Sequence, residues 1–139
     1  MKENRFYEVV NSHRKWWLLL FWAFGIFIGC FGFPFINITK ALSDTQKGIS
    51  LFNIFVVVVA YAEIGLLSGY LFEKKKIGFV ILMDLAHIVL GMVARYFLEF
   101  GEVSNTYNFT LPNIALHVGA ILCICFCGYL HGKKRIAER

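Results

Sequence analysis

The sequence predicts an all-α fold: a polytopic membrane protein built as a four-helix transmembrane bundle, with both ends of the chain on the cytoplasmic side. Three observations carry that expectation. Hydrophobic residues make up 58% of the 139 residues and the mean hydropathy is +0.64, values of the membrane class. The apolar residues gather in four stretches, each near the length of about 20 residues that an α-helix needs to cross the hydrocarbon core. The basic residues gather at the ends of those stretches. Four segments cannot close a barrel, and open strands would leave backbone groups unpaired in lipid, so the stretches are helices.

The first span is expected at about 16–36, behind a polar, basic leader that includes Arg14 and Lys15. Its apolar run is too long for the core of a signal peptide and no A-x-A site follows, so it reads as a retained span. Phe27-Ile28-Gly29-Cys30 is a poor lipoprotein box, because Phe opens it and the apolar run continues past Cys30. Trp16 and Trp17 are placed as interfacial anchors, and Pro34 would kink or end the helix. The other spans are expected at about 50–72, 77–98 and 111–130. The turn from Glu73 to Lys76 is tight, which makes the second and third spans antiparallel neighbours. All four form one domain, with no room for a soluble catalytic domain beside them.

Charge orients the bundle. The leader (Lys2, Arg5, Arg14, Lys15), the second connector (Lys74, Lys75, Lys76) and the tail (Lys133, Lys134, Arg135, Arg139) fall on one side. The first connector has only Lys40 and Lys47, and the third has Glu99 and Glu102 with no Lys or Arg. The positive-inside rule puts the basic side in the cytoplasm, in a plasma or inner membrane. Net charge is +5, but the basic residues form no patch interleaved with aromatics, which argues against nucleic acid. Lys74, Lys75 and Lys76, with Lys133, Lys134 and Arg135, are expected instead to meet anionic lipid headgroups. The sequons at Asn37 and Asn108 sit close to a membrane surface, where glycosylation is hindered, and read as coincidental. Cys30, Cys123, Cys125 and Cys127 contain no C-x-x-C, and they read as soft packing residues rather than a thiolate metal site.

Membrane helices meet through small residues that let backbones approach. Gly25-x-x-x-Gly29, Gly65-x-x-x-Gly69 and Ala115-x-x-x-Gly119 are the candidate packing faces. Glu63 lies on the opposite side of its helix from Gly65 and Gly69, so the second span is expected to be central, with something to bury on both sides.

The third span carries Asp84, His87, Gly91 and Arg95 at i, i+3, i+7 and i+11, one stripe about 80° wide. Glu63 and His117 add ionisable groups from the second and fourth spans. At 1.5 Å per residue, Glu63 lies about 14 Å from the basic end of its span, Asp84 about 11 Å, His87 about 15 Å and His117 about 20 Å. Glu63, Asp84 and His87 are therefore expected at one level. Intramembrane ionisable groups are by default functional.

Three readings follow. The first is a small, non-enzymatic accessory or scaffold subunit, homo- or hetero-oligomeric, whose polar groups satisfy one another and fix helix register. The second is a small proton- or cation-coupled transporter or channel working through Glu63, Asp84 and His87, with Arg95 and His117 lining an outward half-channel. The third is a metal site using Glu63, Asp84, His87 and His117, or a b-type haem held by His87 and His117. No dense ligand motif calls for a cofactor, and no nucleophile elbow, H-E-x-x-H or P-loop points to an enzyme. The segment Glu63 to Glu99, with Glu-Ile-Gly-Leu-Leu-Ser-Gly and His87 downstream, resembles a four-span protein of the ciliary transition zone. Glu63 in the second span with Arg95 late in the third is similar to small bacterial phosphate-starvation membrane proteins. The two point to different kingdoms, and no family is assigned from them.

Overall fold

The computed structural model describes residues 5–32 and 47–137. The described chain is helical, with no strand. It runs α1 (Arg5–Ser12), α2 (Arg14–Phe27) continuing into a π-helical turn (Ile28–Gly32), α3 (Lys47–Leu71), α4 (Ile77–Leu98), α5 (Val103–Asn108) and α6 (Leu111–Ala137). Four helices are long and apolar enough to cross a membrane: Arg14–Gly32, Leu51–Leu71, Ile77–Leu98 and Leu111–Ala137. The expected four-span helical bundle is present. The end of the first span, with Pro34, the Asn37 sequon and Lys40, lies outside the described residues.

The helices pair through their smallest residues. α2 runs parallel to α4, with Gly25 against the His87 imidazole and Gly29 against the Ile88 carbonyl and Gly91. α3 runs parallel to α6, with Gly65 on the Cys125 backbone, Gly128 on Ala62 and Leu66, and Gly69 beside Gly132. A Cβ at Gly29, Gly65 or Gly91 would overlap the facing backbone. The π turn of the first span lies where its backbone touches α4 at Gly91, and widened turns of this kind interrupt α-helices at such special contacts. The second and third spans are joined by the tight turn but pack less closely on each other than on these parallel partners.

The small-residue face of the fourth span is thus Gly128-x-x-x-Gly132 and not Ala115-x-x-x-Gly119. Ala115 is exposed, and a Cβ at Gly119 would have nothing within 4 Å. The reason is rotational. The buried face of α6 runs through Ile121 and Cys125, and Ala115 and Gly119 lie about 120° and 160° round the helix from Ile121. Cys123 and Cys127 also turn outward, so only Cys30 and Cys125 serve as core packing.

Two connectors carry more structure than their composition promised. The leader forms α1, which folds back over the end of α3: Val10 is buried, Phe6 stacks edge-on against Trp17 and Tyr70, and Tyr7 donates to Glu73 Oε2 at 2.8 Å. Arg14 donates to the Leu71 carbonyl at 2.6 Å, satisfying one of the acceptors that a helix C-terminus leaves open. The third connector holds α5, anchored by Asn105 donating to the Tyr96 and Glu99 carbonyls at the end of α4. α1, the α3–α4 turn and the C-terminal turns of α6 make up the basic end of the bundle. Glu99 and Glu102 lie at the other.

Candidate functional site

α3 presents Phe52, Val56, Val59 and Glu63 outward, spaced i, i+4, i+7 and i+11, and all four are exposed. Glu63 sits about 12 Å from the Leu71 end of the span and about 18 Å from its Leu51 end. It is therefore a carboxyl at mid-membrane depth on the outside of the bundle. A group of that kind costs several kcal/mol in hydrocarbon unless a protein or water partner meets it. The second span meets all three others, and its Gly65 and Gly69 side is covered by α6, but the Glu63 side, expected to be buried as well, is exposed.

The interior acid is Asp84, 3% exposed, whose Oδ2 accepts from the Ser68 hydroxyl at 3.2 Å. Ser68 is five residues from Glu63, about 140° round α3. Glu63 and Asp84 are thus on different sides of α3 and do not form the expected shared site. Rotation separates them, and so does depth: Ser68, the residue Asp84 meets, lies about 7.5 Å nearer the basic end of α3 than Glu63. Asp84 Oδ1 has no hydrogen-bond partner among the described residues.

His87 is fully buried, one turn along α4. Its Nδ1 lies 2.6 Å from the Met83 carbonyl, so Nδ1 carries the hydrogen and Nε2 is left as an acceptor. The ring stacks on Phe21 at 4.2 Å and meets Trp22 edge-on, filling the space that Gly25 leaves on α2. Nothing described donates to Nε2. His117, also buried, pairs its Nδ1 with the Tyr61 hydroxyl at 3.1 Å. The two imidazoles turn to different helices, α2 and α3, which does not suit axial ligands of one haem. Among the described residues no group of three or more His, Cys, Asp or Glu gathers as a metal site, so Glu63, Asp84, His87 and His117 do not assemble into one.

Arg95, half-buried, pairs with Glu99 one turn further along α4, near the acidic end and away from Asp84. The polar groups therefore form separate stations: Ser68–Asp84 and His87 toward the basic end, Tyr61–His117 and Arg95–Glu99 toward the acidic end. Ile64, Ile88 and Ile121, all fully buried, belong to the apolar core between those levels. Lys74, Lys75, Lys76, Lys133, Lys134 and Arg135 are exposed at the basic end, where headgroups would lie.

Ser68, Tyr61, Phe21 and Trp22 complete these stations, and none of them is among the candidate site residues expected from the sequence. A signal was present for Ser68 and Tyr61: with Ile64 they follow i, i+3 and i+7 on α3, the face that carries Gly65. A second signal is a repeat. Gly69-Tyr70-Leu71-x-x-Lys74-Lys75-Lys76 recurs as Gly128-Tyr129-Leu130-x-x-Lys133-Lys134-Arg135 at the ends of two helices that run parallel. No family model, no curated protein and no solved structure matches the chain, so neither resemblance of its second and third spans assigns it to a family.

Proposed function

We propose that the protein is a non-enzymatic accessory subunit of a membrane complex, docked through the Glu63 face of its second span, with both termini cytoplasmic in a plasma or inner membrane. The observation that carries this is the exposure of Glu63 at mid-span. A lone carboxyl in lipid calls for a donor or a cation on a neighbouring helix. A second copy offers no cation at that depth. Among the residues whose side chains are described, every exposed Lys, Arg or His lies at the basic end, and Arg95 is already paired with Glu99. The occupant is therefore a different transmembrane helix carrying a basic or hydrogen-bond-donating side chain near its middle. The interior Ser68–Asp84 and Tyr61–His117 pairs support the same reading, because they serve as internal ties that hold the helices in register.

A photo-crosslinking residue at Val59, one turn from Glu63 on the same face, tests this in the native membrane. The expected product is an adduct with another chain, whose crosslinked peptide maps to a transmembrane segment holding a basic or donor residue within one turn. That adduct should disappear with Glu63→Leu. The same crosslinker at Leu116, exposed on α6, should label lipid. A homodimer adduct at Val59, or lipid labelling alone, would overturn the assignment.

A further inference from the structure

α1 does more than cover the end of α3: between them it encloses a polar cleft of about 90 Å³. We propose that this cleft binds the phosphate of one anionic phospholipid headgroup. Its cations are Arg14 and Lys74, and Asn11 and Tyr7 add polar groups to the wall. Arg14 spends one N–H on the Leu71 carbonyl, which fixes the guanidinium at the cleft and leaves further donors in the planar fork that suits phosphate oxygens. The acid in the wall, Glu73, is engaged through Oε2 by the Tyr7 hydroxyl. Two cations against one carboxylate leave a single positive charge, which matches a phosphodiester monoanion.

Position selects the lipid over free phosphate. The floor includes Val10 and Leu71, 2% and 1% exposed, at the last turn of a membrane span. A headgroup bound there has its acyl chains beside the hydrocarbon-facing surface of the bundle. Lys75 and Lys76 are exposed next in the chain and extend the attraction to an anionic surface. The repeated segment on α6 provides an internal contrast. There Lys133 donates to the Tyr129 hydroxyl at 3.5 Å and lies over its ring, but that pair lines no part of this cleft. The repeat supplies the tyrosine and the lysines twice, while α1 and Arg14 join them once. This assignment is independent of the Glu63 docking face.

The test uses the full chain in mild detergent, offered phosphatidylglycerol, phosphatidylcholine or inorganic phosphate, and read by native mass spectrometry. One phosphatidylglycerol per chain should survive delipidation, and phosphatidylcholine should not. Arg14→Gln with Lys74→Gln should lose it. Asn11→Phe, at an exposed position that keeps every cation, should lose it by filling the cleft. Lys133→Gln with Lys134→Gln should retain it. Retention by Asn11→Phe at the native level, or equal loss in the Lys133/Lys134 variant, would show diffuse surface attraction and overturn the site. Displacement of the lipid by inorganic phosphate at matched concentration would overturn the lipid as the source.

Discussion

Ser68 donates to Asp84 Oδ2 at 3.2 Å, and this bond ties the second span to the third across a pair of helices that otherwise pack less closely than their parallel neighbours. The same hydroxyl lies 2.8 Å from the Gly65 carbonyl, so one hydrogen serves two acceptors. A serine able to close a local bond on its own helix is held ready for the aspartate whether or not α4 has docked. The pair thereby selects one rotation of α3, the rotation that also sends Glu63 outward.

Asp84→Asn keeps the acceptor and the size of the side chain, and should be nearly silent in unfolding from mixed micelles. Ser68→Ala should lower bundle stability by about 0.6 kcal/mol, the average for interhelical polar bonds in membranes. Asp84→Leu should cost about the same as Ser68→Ala, because either change removes the same bond and the serine hydrogen keeps the Gly65 carbonyl. A loss above about 2 kcal/mol for Ser68→Ala would exceed what such bonds supply and would point to a role for Asp84 beyond register.

Glycine substitutions should sort by the helix pair they touch. Gly29→Leu and Gly91→Leu drive atoms into the α2–α4 backbone contact, and Gly65→Leu does the same between α3 and α6. Each should destabilise by about 1–3 kcal/mol or block folding, the usual penalty of overpacking. Gly119→Leu and Ala115→Leu should be tolerated, since both face outward. If Gly119→Leu were as damaging as Gly65→Leu, the rotation of α6 would be wrong.

The helical fold, the four spans and the tight second connector were legible because hydropathy and length act over some twenty residues at once. Rotation was harder to read. Glu63 and Asp84 have similar counts of residues from the span ends, yet Asp84 meets Ser68 on another side of α3, and Ala115-x-x-x-Gly119 has suitable spacing on a face that no described residue covers. A small-residue pair marks a possible contact, and the choice among several is made by the side chains around it. On α6 these are Ile121, Cys125 and Tyr129, which align with Gly128 and Gly132. The leader is not legible as a docked helix because its apolar run is short, and its hold on the end of α3 comes from Tyr7 of α1 and Arg14 at the start of α2, which meet Glu73 and Leu71 some sixty residues away.

Orientation rests on the clustering of basic residues at one end, and thiol labelling checks it. Lys75 and Thr106 are both exposed, at opposite ends of the bundle. An impermeant reagent applied to intact cells should modify Thr106→Cys and spare Lys75→Cys, with the reverse in inside-out vesicles. Of the native thiols, Cys30 and Cys125 are buried and Cys123 and Cys127 face outward at membrane depth, so the background should be low. Labelling of Lys75→Cys in intact cells would invert the bundle.

Glu63 separates the docking reading from transport, because the two ask different things of one carboxyl. On the outside of the bundle it makes no contribution to internal packing, and an acidic residue near the centre of a membrane helix carries an insertion penalty of about 3 kcal/mol on biological scales. Glu63→Leu removes that penalty. The isolated subunit should therefore remain folded and become no less stable, while losing its partner helix. Glu63→Gln keeps hydrogen-bonding capacity, and should retain a donor-type partner more weakly and a cationic partner hardly at all. If Glu63 instead carried protons or cations, the purified protein alone would support flux in sealed vesicles, and Glu63→Gln would abolish it with the fold intact. The expected result is no flux from the native protein, since its acids face apart and Ile64, Ile88 and Ile121 lie in the core between its polar stations. Robust flux lost in Glu63→Gln would defeat the docking reading, and so would a marked loss of subunit stability in Glu63→Leu.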